Sequence, residues 1–313
     1  MAIQISELAV GRDGAGLHPG WKGGYSKREP GLNAKPTNQS ISQGRCPAVT
    51  QPVGRADKPV ANCKVCGKTS TFFDEAKVLR KHLVLYFRCA ACGFIQTESP
   101  YWLAEAYSSA IARQDVGILE RNLANRELTS AVLNLLYPQA RCAVDFGGGH
   151  GILVRMMRDK GFDFRWYDPH ATNHYARGFE HPEGDPCDLL TAFEVLEHVT
   201  DPVADLGKMM SLCENLLVST VLVPHPAPRV ADWWYYMPST GQHISFYTLD
   251  SLHLLARRFG RHLLSRGAYH LFTARPKSKL LFRLATSFKA ARIVNKAYRR
   301  PSLIERDFQK MTD

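Results

Sequence analysis

A glycine-rich turn between an apolar stretch and a helix-like stretch constrains the fold of this chain more than any other feature. Residues 143–146 read as a buried strand with Asp145 near its carboxyl end, and four glycines fall within residues 147–151. Glycine lets the backbone approach a ligand closely because it has no Cβ atom. The helix that follows offers its first unpaired N–H groups to the same ligand. The segment therefore predicts a strand, a ligand-binding turn and a helix of an α/β fold.

The glycine spacing excludes two common nucleotide sites. A dinucleotide motif, Gly-x-Gly-x-x-Gly, has its third glycine where this chain has Ile152. A phosphate-binding P-loop would continue as Gly-Lys-Ser/Thr, which does not follow here. The observed pattern, Asp145-x-Gly147-x-Gly149-x-Gly151, resembles motif I of class I S-adenosylmethionine-dependent methyltransferases.

Three later segments extend this resemblance over about residues 139–274. Asp168 ends the next predicted strand, at a suitable distance downstream. Residues 187–199 read as a strand that runs into Glu-Val-Leu-Glu-His, and residues 241–252 resemble the segment before the last helix. The four motifs in this order are similar to the methyltransferase-23-like branch, which includes sugar C-methyltransferases.

The resemblance implies a doubly wound, Rossmann-like sheet of seven strands that binds S-adenosylmethionine. A carboxylate can receive the ammonium group of that cofactor, and Asp168 would accept hydrogen bonds from both ribose hydroxyls. The implied cofactor-binding residues are Asp145, Phe146, Gly147, Gly149, Gly151, Asp168 and Glu194. The alternative is that the glycine turn is only structural and Asp168 is a surface carboxylate.

The implied catalytic residues are His198, His243 and Glu197. Methyl transfer needs a base only where the acceptor is a hydroxyl or an acidic carbon, and histidine is the natural choice near neutral pH. His243 is equally suited to bind the acceptor. The alternative is that His198 packs at a helix start and that Glu197 is a solvated acid of the first turn.

Two Cys-x-x-Cys pairs precede the methyltransferase-like region. Cys63 and Cys66 are separated from Cys89 and Cys92 by twenty-two residues that hold two strand-like stretches, near 69–73 and 83–88. This spacing predicts a zinc ribbon in which four thiolates fill a structural Zn²⁺ site. Two unrelated cysteine pairs or a redox dithiol are the alternatives.

The remaining sequence divides into segments of distinct composition. The predicted parts are a disordered tail over 1–58, which contains Cys46, the zinc ribbon over 59–98, a helical linker or lid over 99–138, the methyltransferase domain over 139–274, and a basic helix or tail over 275–313. The predicted strands lie near 141–146, 163–168, 176–180, 187–192, 215–223, 262–267 and 269–274, and the helices near 151–160, 196–213 and 248–259. Because the stretch from Asp168 to Asp188 is short, one peripheral helix is expected to be reduced or missing.

The net charge of +11 lies largely outside the methyltransferase-like region. Nucleic acid is therefore disfavoured as a partner, and the basic helix after residue 275 is either a solvated face or a contact for a membrane surface or an acidic partner. Cysteines in apolar patterns predict a reducing compartment, and without a signal peptide or transmembrane segment the cytoplasm is expected.

The acceptor is the least determined element of the predicted function. A further carboxyl-terminal domain typical of sugar C-methyltransferases is not found after residue 275. This favours an enzyme that methylates a saccharide, a glycan precursor or a related small metabolite. The alternatives are an RNA or protein methyltransferase and a cofactor-binding scaffold protein without activity.

Overall fold

The structure is a computed structural model that describes residues 59–107, 116–182 and 184–312. The predicted disordered tail, with Cys46, lies outside the described residues, as does part of the predicted lid, residues 108–115. The strands are β1 Val60–Asn62, β2 Thr69–Val78, β3 His82–Cys89, β4 Ile95–Thr97, β5 Ala143–Phe146, β6 Phe164–Tyr167, β7 Leu189–Phe193, β8 Leu216–Ser219, β9 Ser245–Phe246, β10 His262–Arg266 and β11 Tyr269–Thr273. The α-helices are α1 Leu103–Ala106, α2 Ile118–Leu136, α3 Ile152–Asp159, α4 Pro202–Leu212, α5 Leu249–Arg258, α6 Lys279–Ala285, α7 Phe288–Ala297 and α8 Ile304–Thr312.

The strands form two sheets. The larger sheet has the order β10-β11-β8-β7-β5-β6, in which β5 to β8 run parallel and β10 and β11 are antiparallel to their neighbours. The smaller, antiparallel sheet has the order β1-β2-β3-β4-β9 and joins the cysteine-rich segment to a strand from much later in the chain. The α/β prediction is confirmed, with a mixed larger sheet.

Helices cover both faces of the larger sheet, because alternate residues of its strands are apolar on each side. Val144, Leu190 and Leu216 face a cluster that includes residues of α4 and α5. Ala143 and Leu189 face the opposite cluster, which contains residues of α2, α3, α6 and α7. Both faces of the parallel strands are therefore buried, and polar groups are displaced to the strand ends.

The strand order reverses between β5 and β7, since β6 follows β5 on one side and β7 lies on the other. In open α/β sheets, ligands bind at such a reversal, beyond the carboxyl ends of the strands. The glycine turn follows β5 and the Glu-Val-Leu-Glu-His segment follows β7. The two motifs singled out in the sequence are therefore neighbours at this edge.

The predicted count of seven strands is wrong for the described residues, where the larger sheet has six. The stretch predicted as a strand near 176–180 forms only one bridge, between Glu180 and Trp166. Two backbone hydrogen bonds join it to β6 at Trp166, and the Glu180 carboxylate accepts local hydrogen bonds from the Asn173 side chain and the Gly178 N–H. As expected from its length, the described part of the stretch from Asp168 to Asp188 contains no helix.

Two other predicted elements are shorter than expected. The helix predicted over 196–213 is divided into a 3-10 turn, Leu196–His198, and helix α4. The division falls at Asp201, whose side chain accepts hydrogen bonds from the N–H groups of Val203 and Ala204 and so caps α4. The strand predicted over 215–223 ends at Ser219.

The basic carboxyl-terminal segment, predicted as a basic helix or tail over 275–313, contains three helices. It forms α6, α7 and α8, and Phe282, Ala285 and Ala291 are buried in the cluster that covers the larger sheet. Leu284 and Phe288 are exposed. No helix among the described residues combines the length and the apolar character that a bilayer span requires.

Candidate functional site

The glycine turn after β5 is closed on one side and open on the other. Gly147, Gly149 and Gly151 have φ angles of +71°, +54° and +85°, which favour glycine. A Cβ atom on Gly147 would lie 2.8 Å from Cγ2 of Val195, whereas a Cβ atom on Gly149 would meet no other described heavy atom within 4 Å. A ligand can therefore approach the backbone at Gly149.

Asp168 follows β6 and contacts the same turn. Its Oδ2 accepts a hydrogen bond from the N–H of Gly149 at 2.9 Å, and its Oδ1 accepts from the N–H groups of His170 and Ala171. A carboxylate has about four acceptor positions, so three backbone donors leave one for a ligand. The sequence did not reveal this backbone cradle, which fixes the direction of the carboxylate.

Asp145 is buried under the turn. Thr191 on β7 donates a hydrogen bond of 2.6 Å to its carboxylate. Burial raises the pKa of Asp145 to about 7, and the hydrogen bond from Thr191 opposes this rise. The side chain of Phe146 is half-buried and stacks on Tyr167 with a distance of 5.1 Å between ring centroids.

Glu194 is the first residue after β7 and adopts a left-handed backbone conformation, with φ at +53°. This conformation costs a residue other than glycine roughly 1–2 kcal/mol. Ser219 at the end of β8 holds it, because its hydroxyl donates to the Glu194 carboxylate at 2.6 Å and accepts from the Glu194 N–H at 2.9 Å. Such strain is concentrated at functional sites. The buried carboxylate of Glu194 lies beyond the carboxyl ends of the strands.

Glu197 is completely buried in the 3-10 turn that follows. The hydroxyl of Tyr235 donates a hydrogen bond of 2.7 Å to its Oε1, while its Oε2 has no hydrogen-bond partner among the described residues. Burial raises the pKa of Glu197 well above its ordinary value, and the charge of Glu194 adds to the rise. It is not the solvated acid of the alternative interpretation.

His198 and His243 face each other, with ring centroids 4.9 Å apart and planes nearly perpendicular. Nδ1 of His243 lies 2.7 Å from the carbonyl oxygen of Tyr235. A carbonyl oxygen can only accept, so this nitrogen carries the hydrogen and Nε2 of His243 keeps a lone pair. Nδ1 of His198 lies 2.9 Å from the Tyr107 hydroxyl. Burial lowers the pKa of both histidines, that of His243 to about 4, so both rings are neutral.

The three predicted catalytic residues therefore meet at one point. One donor atom from each of Glu197, His198 and His243 lies within 4.8 Å of the other two. The Ile244 N–H donates to the Glu197 carbonyl oxygen at 2.9 Å, which ties the His243 segment to the 3-10 turn.

Two tyrosines beside this cluster were not predicted from the sequence. Tyr235 contacts Glu197 through its hydroxyl and His243 through its carbonyl, and Tyr107 contacts His198. No local pattern predicts these contacts, since the partners lie 38, 8 and 91 positions apart.

The aromatic run over 233–236 serves mainly as core. Tyr235 and Tyr236 are fully buried, in a cluster that also contains Tyr86 of β3 and Phe246 of β9. Only Trp234 of the four is substantially exposed, at 39%. The run therefore joins the smaller sheet to the site.

The four cysteines of the paired motifs converge in the smaller sheet. Sγ of Cys63 lies 3.6 Å from that of Cys92, and Sγ of Cys66 lies 3.5 Å from that of Cys89. All four sulfurs lie within 4.8 Å of one another. Tetrahedral zinc with Zn–S bonds of about 2.3 Å separates its sulfurs by about 3.8 Å, so the cluster fits such an ion.

The described chain also has a cavity at the opposite edge of the larger sheet. It has a volume of about 330 Å³ and is lined in part by Cys142, Asp163 and Arg300. Because Cys142 and Asp163 precede β5 and β6, the cavity lies at the amino ends of the strands, away from the glycine turn.

Part of the chain matches a known family model. Residues 119–265 match the model of a family described as "Methyltransferase domain". No curated protein matches the sequence.

Several solved structures are similar to part of the chain. An O-methyltransferase family protein from Burkholderia thailandensis has 18% sequence identity and a TM-score of 0.42, over 56% of this chain and 62% of the other. Human N-acetylserotonin methyltransferase in complex with SAM has 18% identity and a TM-score of 0.38, over 49% and 52%. The plantazolicin methyltransferase BpumL in complex with a monoazolic desmethylPZN analog and SAH has 10% identity and a TM-score of 0.41, over 61% and 87%. The chain thus spans about three fifths of the first of these proteins.

Proposed function

We propose that this protein is an S-adenosylmethionine-dependent methyltransferase that acts on a saccharide, a glycan precursor or a related small metabolite. The observation that carries the proposal is the open glycine turn at the strand-order reversal, with Asp168 bound to its backbone. The family match over residues 119–265 supports the same reaction class.

The residues at this edge suit the parts of the cofactor. Gly149 would admit the amino acid part, and the remaining acceptor position of Asp168 would take a ribose hydroxyl. Asp145 and Glu194 would supply negative charge near the ammonium group. When bound, the cofactor supplies a methyl group on a sulfonium ion that needs no acid to leave.

The contribution of the protein to the reaction is then alignment and exclusion of water. Glu197, His198 and His243 lie beyond the same strand ends and would contact the acceptor. Both histidines are neutral, so either could accept a proton from an acceptor hydroxyl.

We propose further that Cys63, Cys66, Cys89 and Cys92 bind one structural Zn²⁺ ion. Four thiolates leave no coordination position for water, which suits a structural role. The two sulfur distances of 3.5 and 3.6 Å support it. The seven described cysteines form no disulfide, which supports a reducing, cytoplasmic location.

As a secondary proposal, we infer that part of the basic carboxyl-terminal segment contacts an anionic membrane surface. Leu284 and Phe288 are exposed beside Arg283, Lys289 and Arg292. An apolar and basic surface of this kind suits an anionic bilayer. Co-sedimentation with anionic but not with neutral vesicles would support it.

The cofactor assignment is tested by substitution at the open glycine. Gly149→Ala should weaken binding of S-adenosylmethionine by at least about tenfold, because the methyl group would enter the space left for the ligand. Gly267→Ala is the matched control, since Gly267 also has a positive φ, +57°, and open space, in the turn between β10 and β11. Titration calorimetry measures both. Equal affinities in the two variants, or no binding by the wild type, would contradict the proposal.

The acceptor class is tested by transfer of a labelled methyl group to fractions of a cell extract. Label in saccharide or small-metabolite fractions is expected. Label in RNA or protein fractions would favour the alternative enzyme classes, for which the net charge of +11 is the supporting observation. Cofactor binding without transfer to any fraction would favour a scaffold protein.

A further inference from the structure

The cluster of Glu197, His198 and His243 has the donor atoms of a metal site. Each residue offers one carboxylate oxygen or imidazole nitrogen, and these atoms lie within 4.8 Å of one another. Oε2 of Glu197 and Nε2 of His198 are buried and make no hydrogen bond of standard geometry to a described residue, although the Glu194 carboxyl group and the Gln242 backbone lie close to these side chains. Buried polar atoms are rarely left unpaired in proteins, so two in one cluster indicate a ligand between them.

The surrounding groups orient the three side chains as they do around bound metals. Metal-binding histidines usually donate their second N–H to a carbonyl or another oxygen, which fixes the ring orientation. Nδ1 of His243 donates to the Tyr235 carbonyl at 2.7 Å, and Nδ1 of His198 lies 2.9 Å from the Tyr107 hydroxyl. The Tyr235 hydroxyl also donates to Oε1 of Glu197, so Oε2 is the oxygen that is available to a cation.

The electrostatic surroundings of Glu197 are a further argument for a cation. Glu197 is completely buried, and no lysine or arginine among the described residues forms an ion pair with it. Glu194, four per cent exposed, adds a second carboxyl group beside it. A divalent cation could take the place of a proton on Glu197 and supply the counter-charge that its ionised carboxylate would otherwise lack.

We propose that Glu197, His198 and His243 bind a divalent cation of the first transition row, at a site separate from the four cysteines. Two imidazoles and one carboxylate suit Mn²⁺, Fe²⁺, Co²⁺ or Zn²⁺ better than Mg²⁺ or Ca²⁺, which prefer oxygen ligands. Three protein ligands leave coordination positions open, unlike four thiolates around zinc.

The coordination positions of the cation that no protein ligand fills could bind the acceptor, and so favour one kind of acceptor atom. This step rests on the proposed methyltransferase function. A divalent cation lowers the pKa of an oxygen ligand that bears a proton. The cluster therefore favours an acceptor that is methylated on a hydroxyl oxygen. The hydroxyl proton would pass to water when the oxygen binds the cation, the O–CH3 bond would form as the S–CH3 bond of the cofactor breaks, and a neutral thioether would leave. His198 and His243 would then be ligands and not bases.

The site is tested with Mn²⁺, because manganese prefers oxygen and nitrogen over the thiolates of the cysteine cluster. Protein that retains zinc at the cysteines is titrated with Mn²⁺, and the free ion is followed by electron paramagnetic resonance. We expect one Mn²⁺ per chain, bound at least about tenfold more weakly in Glu197→Gln and His243→Gln. Glu214→Gln and His253→Gln, outside the cluster, are the controls and should bind like the wild type.

Two results would overturn the proposal. One is the absence of Mn²⁺ binding to the wild type, and the other is unchanged affinity in the folded Glu197→Gln and His243→Gln variants. If those variants do not fold, the test uses the wild type alone. The spin-echo spectrum of its bound Mn²⁺ must then show magnetic coupling to histidine nitrogen, and a spectrum without this coupling would contradict the proposal. Calorimetry with S-adenosylmethionine on the same samples separates the two proposals. Metal binding without cofactor binding would support the proposed metal site and contradict the proposed methyltransferase function.

Discussion

The burial of Asp145 makes the stability of the whole protein depend on pH. Its carboxyl group is buried and has a pKa of about 7, above the value of about 3.9 in an unfolded chain. A group with a raised pKa contributes stability that is present below the unfolded pKa and is lost as the pH rises through the folded pKa. As the pH rises from about 4 to about 7, the contribution of Asp145 therefore lowers the free energy of unfolding progressively.

Asp145→Asn should remove this part of the pH dependence. The wild type should lose roughly 2–3 kcal/mol of its free energy of unfolding between pH 5 and pH 8 through Asp145, and the variant should not, so the variant should gain stability relative to the wild type by that amount at pH 8. Urea denaturation at the two pH values measures the difference. Asp250→Asn, at an exposed position of α5, should show no such trend, and a difference for Asp145→Asn that does not vary with pH would contradict the expectation.

The residues that the sequence predicted at the site are those with a local pattern. The glycine turn, Asp168 and Glu194 each follow an apolar strand, and parallel strands bring their ends together. The contacts of Tyr235 could not be predicted, because they depend on how a loop from residues 220–244 folds over the strand ends. The unpaired atoms of Glu197 and His198 follow from that same packing.

At the scale of elements, the cysteine-rich sheet supports the histidine cluster. β4 pairs with β9, two residues after His243, and the Trp102 indole N–H donates to the Gly241 carbonyl at 2.8 Å. The Thr248 side chain at the start of α5 donates to the Cys92 carbonyl. The sequence predicted the ribbon strands from their cysteine spacing, but its joining to β9 depends on contacts more than 130 positions apart.

If the four cysteines bind zinc as proposed, replacement of one of them should destabilise more than the smaller sheet. Cys66→Ser should lose the bound zinc and lower the free energy of unfolding by several kcal/mol in a single transition, because Cys63, Cys89 and Cys92 share a core cluster with α4 and α5. Zinc analysis and scanning calorimetry measure this. Cys142→Ser, a partly buried thiol outside the cluster, should keep its zinc and nearly all its stability. Full zinc content in Cys66→Ser would rule out the proposed metal site.

At the scale of the whole molecule, the last helix is fixed to the first helix after the glycine turn. Arg158 on α3 forms two hydrogen bonds with the Asp307 carboxylate on α8, and both residues are almost completely buried. The guanidinium of Arg158 also lies 3.8 Å from the ring centroid of Phe179. Only a basic helix or tail was predicted here, because an ion pair across 149 positions leaves no periodic pattern in the sequence.

Asp307→Ala should lower the free energy of unfolding by about 3–5 kcal/mol, because it leaves the guanidinium of Arg158 buried without its main partner. Burial alone would raise the pKa of Asp307, but hydrogen bonds from Arg158 and Arg155 outweigh it and hold that pKa below its ordinary value. The stability from this pair is therefore present above the unfolded pKa and is lost as the pH falls through the folded pKa. Urea denaturation at neutral and acidic pH measures both effects, with Glu305→Ala on the exposed face of α8 as the control. If the ion pair holds α8 in place, the wild type and Asp307→Ala should differ strongly at pH 7 and converge in acid.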